Sequence, residues 1–218
     1  MWQALYEELG DQGFMVIAVA MDSREGDALP WIEAARPTYV TLIDRNHRLA
    51  ELYHLVNVPQ AAWIDERGRI VRPAEPAGAY EGFRKMNRAT REMPDDVARL
   101  RRSPRTSTPS GTGCGGVPRA RTPWRRVTRA RLPLPTEETV RAHAMFRLGQ
   151  LLLRRGEAAE GDRWLEAASR HHPGSWCIWR QRAGATELGL AALPDFWTRV
   201  DALGDKRYYA RIDMPGMP

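Results

Sequence analysis

The chain has 218 residues, of which 43% are hydrophobic and 28% charged, which is ordinary for a soluble globular protein with one large or two small domains. Its longest apolar run, Phe14–Met21, is far shorter than the roughly 20 residues that a membrane-spanning helix needs. The net charge is +6, but residues 97–136 hold ten arginines and no lysine or acid, so the excess of positive charge lies in one segment. The rest of the chain is not basic, which argues against specific nucleic-acid binding by its folded parts.

The first ninety residues predict alternating helices and strands, which is an α/β pattern. Phe14–Ala20, a run rich in Val and Ile, is typical of a strand buried on both faces. The predicted order is a helix at Trp2–Leu9, a strand at Phe14–Ala20, a helix at Gly26–Ala35, a strand at Tyr39–Ile43, a helix at Asn46–Tyr53, strands at Gln60–Ile64 and Arg69–Arg72 joined by a turn, and a helix at Glu81–Met93.

The composition changes after Pro94. Residues 101–131 are rich in Arg, Pro, Ser, Thr and Gly and show no apolar period, which indicates a disordered tether between domains. An altered reading frame would give the same composition, and both explanations stay open at this point.

A helical tail follows from Thr136. The "TEET" signal places Thr136 at a helix cap, and apolar residues then recur at Val140, Ala144, Leu148, Leu151 and Leu152. Gly156 and Pro173-Gly174 separate this helix from the next ones. Three further helices are predicted, at Ala158–Ser169, Trp176–Leu188 and Asp195–Leu203.

Residues 1–93 resemble the thioredoxin-like superfamily, in particular TlpA/ResA-type thiol-disulfide oxidoreductases and peroxiredoxin-type redoxins. The resemblance rests on "FMVIAVAMD", "VTLIDRNHRLAELYHLVNVPQAAWID" and "ERGRIV" in this order. It implies a thioredoxin-like α/β fold and a cis Val58-Pro59 peptide bond. It also implies that Val58 and Pro59 form the edge to which a substrate segment binds.

The chain departs from that family in its cysteines. The family carries a CxxC motif just before the helix that here begins at Trp2, and this sequence contains no CxxC. Cys114 lies in the Arg-rich tether and Cys177 at a helical core spacing, so neither is predicted to be catalytic. The first helix has no capping residue, which favours a chain that is incomplete at its N-terminus. A missing N-terminus could include a signal peptide. The sequence as given predicts a soluble, cytoplasmic protein.

A second resemblance lies in the tail. Ala142–Ser175 is similar to one tetratricopeptide repeat at Leu148-Gly149, Gly156, Ala168 and Pro173, whereas Gly161 replaces a small alanine. This resemblance implies a protein-binding helical module, and a plain helical hairpin explains the pattern equally well.

The sequence therefore predicts a thioredoxin-like domain at 1–93, a tether at 94–132 and a tetratricopeptide-like domain at 133–213. The first functional hypothesis is a thiol-disulfide oxidoreductase-type redox protein that is inactive without its CxxC. The alternative is a non-catalytic scaffold for protein–protein interaction. Both imply protein thiols, disulfides or a protein partner as ligands. No catalytic residue, cofactor or metal site is predicted, because His171-His172 has no third ligand at a recognisable spacing.

Overall fold

The computed structural model describes residues 2–77, 81–90, 92–95, 134–187 and 191–209, and these form a mixed α/β structure. The strands are β1 (Ile17–Ala20), β2 (Val40–Ile43), β3 (Gln60–Ile64) and β4 (Ile70–Pro76). The helices are α1 (Trp2–Leu9), α2 (Leu29–Ala35), α3 (Arg48–Tyr53), α4 (Glu137–Arg154), α5 (Ala158–His171), α6 (Trp176–Trp179) and α7 (Pro194–Asp201). The 3-10 turns are Gly10–Gln12 and Glu81–Lys85.

The strands pair as two separate two-stranded sheets. β1 and β2 are parallel, with Ile17 opposite Val40, and β3 and β4 are antiparallel, with Gln60 opposite Pro76. The strand predicted at Phe14–Ala20 is present but begins at Ile17, and its expected burial on both faces is wrong, because the Ile17 side chain is 60% exposed. Within the described residues β1 has a single strand neighbour, so its other edge forms no strand pair there.

The helix predicted at Glu81–Met93 is also wrong. The described residues of this stretch, 81–90 and 92–93, form only a 3-10 turn at Glu81–Lys85. After the turn, the Asn87 carboxamide oxygen accepts hydrogen bonds from the backbone N–H groups of Ala89 and Thr90 at 3.0 and 3.2 Å. These local bonds compete with a helical ladder. Similarly, the helix predicted at Trp176–Leu188 is limited to the single turn of α6 within the described residues 176–187, and Ser175 caps this turn through its hydroxyl.

The helical hairpin α4–α5 begins where the sequence predicts. Thr136 and Thr139 form a reciprocal capping box, and Arg155–Glu157 connect the two helices, with Gly156 at φ +83°. Its core joins residues of three helices: Ala142, Phe146, Leu165, Ala168 and Ile178.

The buried face of α4 differs from the predicted one. Val140, Leu148 and Leu151 are 46%, 37% and 38% exposed, whereas Ala142 and Phe146 are fully buried. The buried stripe also contains His143, Gly149 and Gln150, which carry little hydrophobic signal in a sequence pattern.

We expect Thr136→Ala to lower the free energy of unfolding by about 1 kcal/mol, because it removes the acceptor that caps the Thr139 N–H at the start of α4. Chemical denaturation followed by circular dichroism measures this change. Thr136→Ser is the matched control, since it keeps the hydroxyl. Equal losses in both variants would show that the methyl group, not the cap, stabilises this helix end.

The described residues fall into two compact units, each built from two stretches of chain. The first lies within Met1–Val56 and Pro135–Ala191, and the second within Asn57–Leu134 and Ala192–Pro218. In the first unit α4 contacts the segment before α3, where the His47 ring lies 4.5 Å from that of Phe146. The division groups α7 with the β3–β4 hairpin, whereas the sequence groups it with the helical tail. The boundaries at 1–93, 94–132 and 133–213 stay a prediction, because residues 96–133, with most of the tether, lie outside the described residues.

Candidate functional site

The β3–β4 hairpin positions Val58 and Pro59 at its open end. Pro59 has no N–H to donate to a strand ladder, and β3 begins directly after it at Gln60. The Pro59 carbonyl accepts a hydrogen bond from the Ala77 N–H at 3.1 Å, which closes this end of the hairpin. The ring of Pro59 is exposed and the side chain of Val58 is half-buried.

The other end of the hairpin is a turn organised by Asp65. Its carboxylate accepts backbone hydrogen bonds from Arg67 and Arg69 and pairs with the Arg69 guanidinium, while Gly68 adopts φ +74°. The Arg69 side chain, above all, lowers the pKa of Asp65 to about 2. This turn explains why the bounds of β3 could be predicted from sequence.

The backbone of Val58 is engaged on both sides. The Val58–Pro59 peptide bond is cis. The Val58 N–H donates to the Asn57 Oδ1 at 2.9 Å, and the Val58 carbonyl accepts from the Tyr209 hydroxyl at 3.3 Å. A segment that pairs with the Val58 carbonyl would therefore use the acceptor that the Tyr209 hydroxyl already occupies in part.

Asn57 fixes the position of this backbone. The side chain is 1% exposed, and its Nδ2 donates to the carbonyl of Tyr208 at 3.1 Å. Asn57, Tyr208 and Tyr209 were not predicted from sequence, since nothing in a pattern of local periodicity links positions 151 residues apart.

Cys177 is the one cysteine within the described residues, and Cys114 lies outside them. The Cys177 side chain is 3% exposed, and burial raises the pKa of its thiol to about 12. The thiolate, which is the reactive form, is therefore almost absent at neutral pH.

A buried serine–histidine pair in the first unit was not predicted. His47 is fully buried, and its Nε2 lies 3.0 Å from the Met21 carbonyl and 3.4 Å from the Ser23 hydroxyl. A carbonyl only accepts hydrogen bonds, so Nε2 carries the proton and cannot take one from Ser23. The pair is thus arranged to hold the loop after β1, not to activate a nucleophile.

Two histidines of this unit are held neutral. Burial, above all, lowers the pKa of His47 and of His143 to about 4, and the Nδ1 atoms of both rings have no hydrogen-bond partner in the described structure. His171 instead pairs with Glu138. Across the residues that the structure describes, no group of three or more His, Cys, Asp or Glu is placed to hold a metal ion.

Comparison with known proteins gives one match. Residues 1–72 match the model of the AhpC/TSA family. The matched segment of this chain includes β1, β2, Val58-Pro59 and the start of β4. This match supports a thioredoxin-like redoxin segment, and at the level of that superfamily it suggests a thiol-peroxidase or redoxin type of function with thiol substrates or protein partners. Neither the curated proteins nor the solved structures yield a match. No described helix has the length and hydropathy required to cross a membrane.

Proposed function

We propose that this chain is a redoxin-type module that binds an extended segment of a protein substrate or partner at Val58 and Pro59, and that its own two cysteines carry out no thiol exchange. The observation that supports the proposal is the exposed Pro59 at the start of β3, within the segment that matches the AhpC/TSA family. The sequence of this segment also favours the TlpA/ResA-like branch. A CxxC motif supplied before Trp2 stays a prediction from sequence.

The alternative is a non-catalytic scaffold that uses the same edge together with tetratricopeptide-like helices. The helical hairpin gives this alternative a physical basis, because α4 and α5 pack closely at Gly149 and Gly161. The two hypotheses share the Val58–Pro59 edge and differ in whether a thiol reaction follows binding.

Binding at the edge is tested with the reduced, alkylated B chain of insulin, which is an unfolded peptide without a free thiol. We expect it to shift the backbone amide signals of Asn57, Val58 and Gln60 in heteronuclear NMR spectra. Pro59→Ala, which removes an exposed ring, should weaken this binding severalfold, whereas Pro94→Ala removes another exposed proline and should not. Equal binding by both variants would contradict a role for Pro59.

Insulin-disulfide reduction tests the thiol part of the proposal. We expect no turnover above the background set by dithiothreitol, and none in a Cys114→Ser/Cys177→Ser double variant. Turnover by the double variant would mean that the assay reports a reaction in which neither cysteine of this chain takes part. Turnover that the double variant loses would show that one of these two cysteines is catalytic and would contradict the proposal.

The buried thiol gives a further expected result. In a Cys114→Ser variant, Cys177 should react with Ellman's reagent at pH 7 at least about 100-fold more slowly in the folded protein than after unfolding, because its thiolate is desolvated. Cys177→Ser is the matched control, since it reports the other thiol alone. Rapid reaction of folded Cys114→Ser would show that Cys177 is accessible and activated.

A further inference from the structure

The residues Gly204–Tyr209, here named the C-terminal strap, are bound to the residues around the candidate site. Arg84 supplies the strongest anchor, since its guanidinium donates to two backbone carbonyls of the strap. The bonds are Arg84 Nη2 to the Gly204 carbonyl at 2.7 Å, Arg84 Nη1 to the Lys206 carbonyl at 3.0 Å, Tyr209 N–H to Glu81 Oε1 at 3.1 Å and Asn57 Nδ2 to the Tyr208 carbonyl at 3.1 Å.

Two tyrosines of the strap are buried in this arrangement. Tyr208 is 5% and Tyr209 9% exposed, and their rings meet edge to face with centroids 4.8 Å apart. Tyr208 also packs against Phe83 at 4.9 Å in the same geometry. The strap thus occupies an aromatic site in addition to its hydrogen bonds.

The Tyr209 hydroxyl completes the contact by donating to the Val58 carbonyl at 3.3 Å. This carbonyl is the acceptor that a segment docked at Val58 and Pro59 would use. The strap and a docked segment therefore use the same acceptor atom, beside the same two residues.

We propose that the C-terminal strap occupies the Val58–Pro59 edge within the same molecule, and that a partner segment binds at this edge only when it displaces the strap. This inference rests on the proposed function. It defines the partner as an extended peptide that presents two adjacent aromatic residues and a hydrogen-bond donor, since these are the groups with which Tyr208 and Tyr209 fill the site.

The experiment measures binding of a fluorescent, end-blocked peptide that begins at Tyr208, Tyr-Tyr-Ala-Arg, to full-length variants. This peptide has no counterpart of Gly204 or Lys206, so its own binding does not use Arg84. Arg84→Ala removes the two hydrogen bonds from Arg84 to the strap and should tighten peptide binding at least about tenfold over the wild type, because a larger fraction of molecules has an open site. Arg88→Ala is the matched control. Arg88 pairs with Asp201 and lies over Trp197, outside the strap, and its loss should change binding less than about twofold.

Tyr209→Phe keeps the proposal testable if Arg84→Ala does not fold, which circular dichroism shows. It removes only the hydroxyl on the Val58 carbonyl and should tighten peptide binding about threefold. Equal binding by the wild type, Arg84→Ala and Tyr209→Phe would overturn the proposal that the strap must be displaced. It would not contradict binding at the Val58–Pro59 edge. Absence of binding to every variant, together with unshifted Val58 signals on adding the insulin B chain, would overturn both proposals.

Discussion

Gly149→Ala is expected to lower the free energy of unfolding, although alanine is the better helix former. A Cβ at Gly149 would lie 2.9 Å from the Gly161 carbonyl oxygen and 2.9 Å from Cγ of the buried Leu165. The gain in helix propensity is about 1 kcal/mol, whereas overpacking against a backbone atom costs up to about 3 kcal/mol, so we expect a net loss of about 2 kcal/mol. Denaturant unfolding of the purified variant measures it.

Gly174→Ala is the matched control for this substitution. A Cβ at Gly174 meets no atom within 4 Å, so the change should leave stability within about 0.5 kcal/mol. A variant Gly149→Ala that is as stable as the wild type would show that α4 and α5 separate at little cost.

Gly161 links this contact to the tetratricopeptide resemblance. The repeat pattern favours a small alanine at this position, yet a Cβ here would lie 3.0 Å from the Gly149 carbonyl oxygen and 2.8 Å from Cγ of Leu153. The hairpin is thus packed more closely than the pattern requires. The repeat-like character of the tail stays a proposal, and the glycine pair is the structural feature that carries the helix contact.

Local chemistry explains which elements could be predicted from sequence. The β3–β4 turn depends on Asp65 and Gly68, and the start of α4 depends on Thr136 and Thr139, so residues within four positions of one another determine both. The predicted helix at Glu81–Met93 failed for a related reason, since a periodic apolar pattern does not reveal that Asn87 binds its own backbone.

The candidate site was predicted only in part, because its contacts are not local. Val58 and Pro59 were identified from the resemblance, but their partner Tyr209 follows 151 residues after Val58. A tyrosine pair near the end of a chain carries no periodic signal. The buried face of α4 was missed for a different reason, since the buried His143 and Gly149 are polar or small while Leu148 and Leu151 remain partly exposed.

Acid is expected to destabilise the first unit through His47 and His143. Both rings have a folded-state pKa of about 4 instead of 6.5, chiefly because they are buried. Nearby charges have smaller effects that oppose one another. For His47, Asp44 raises the pKa and His143 lowers it. For His143, Glu51 raises the pKa, and three cationic or ionisable neighbours lower it: His172, Arg147 and His54.

The direction of the effect follows from proton uptake. Between pH 6.5 and 4 the unfolded chain binds protons at these rings and the folded chain does not, so stability is complete above pH 6.5 and is lost as the pH falls toward 4. At pH 5 the two pKa values correspond to a loss of about 2 kcal/mol for each histidine. Urea denaturation at pH 7 and pH 5 measures the sum.

Substitution separates these histidines from the other titrating groups. His143→Gln is neutral at both pH values and should remove about half of the loss between pH 7 and pH 5, whatever its effect on stability at pH 7. An unchanged loss in His143→Gln would assign the pH dependence to other titrating groups. If the wild type is equally stable at both pH values, His47 and His143 accept protons within the fold, and the burial that holds their rings neutral does not persist in solution.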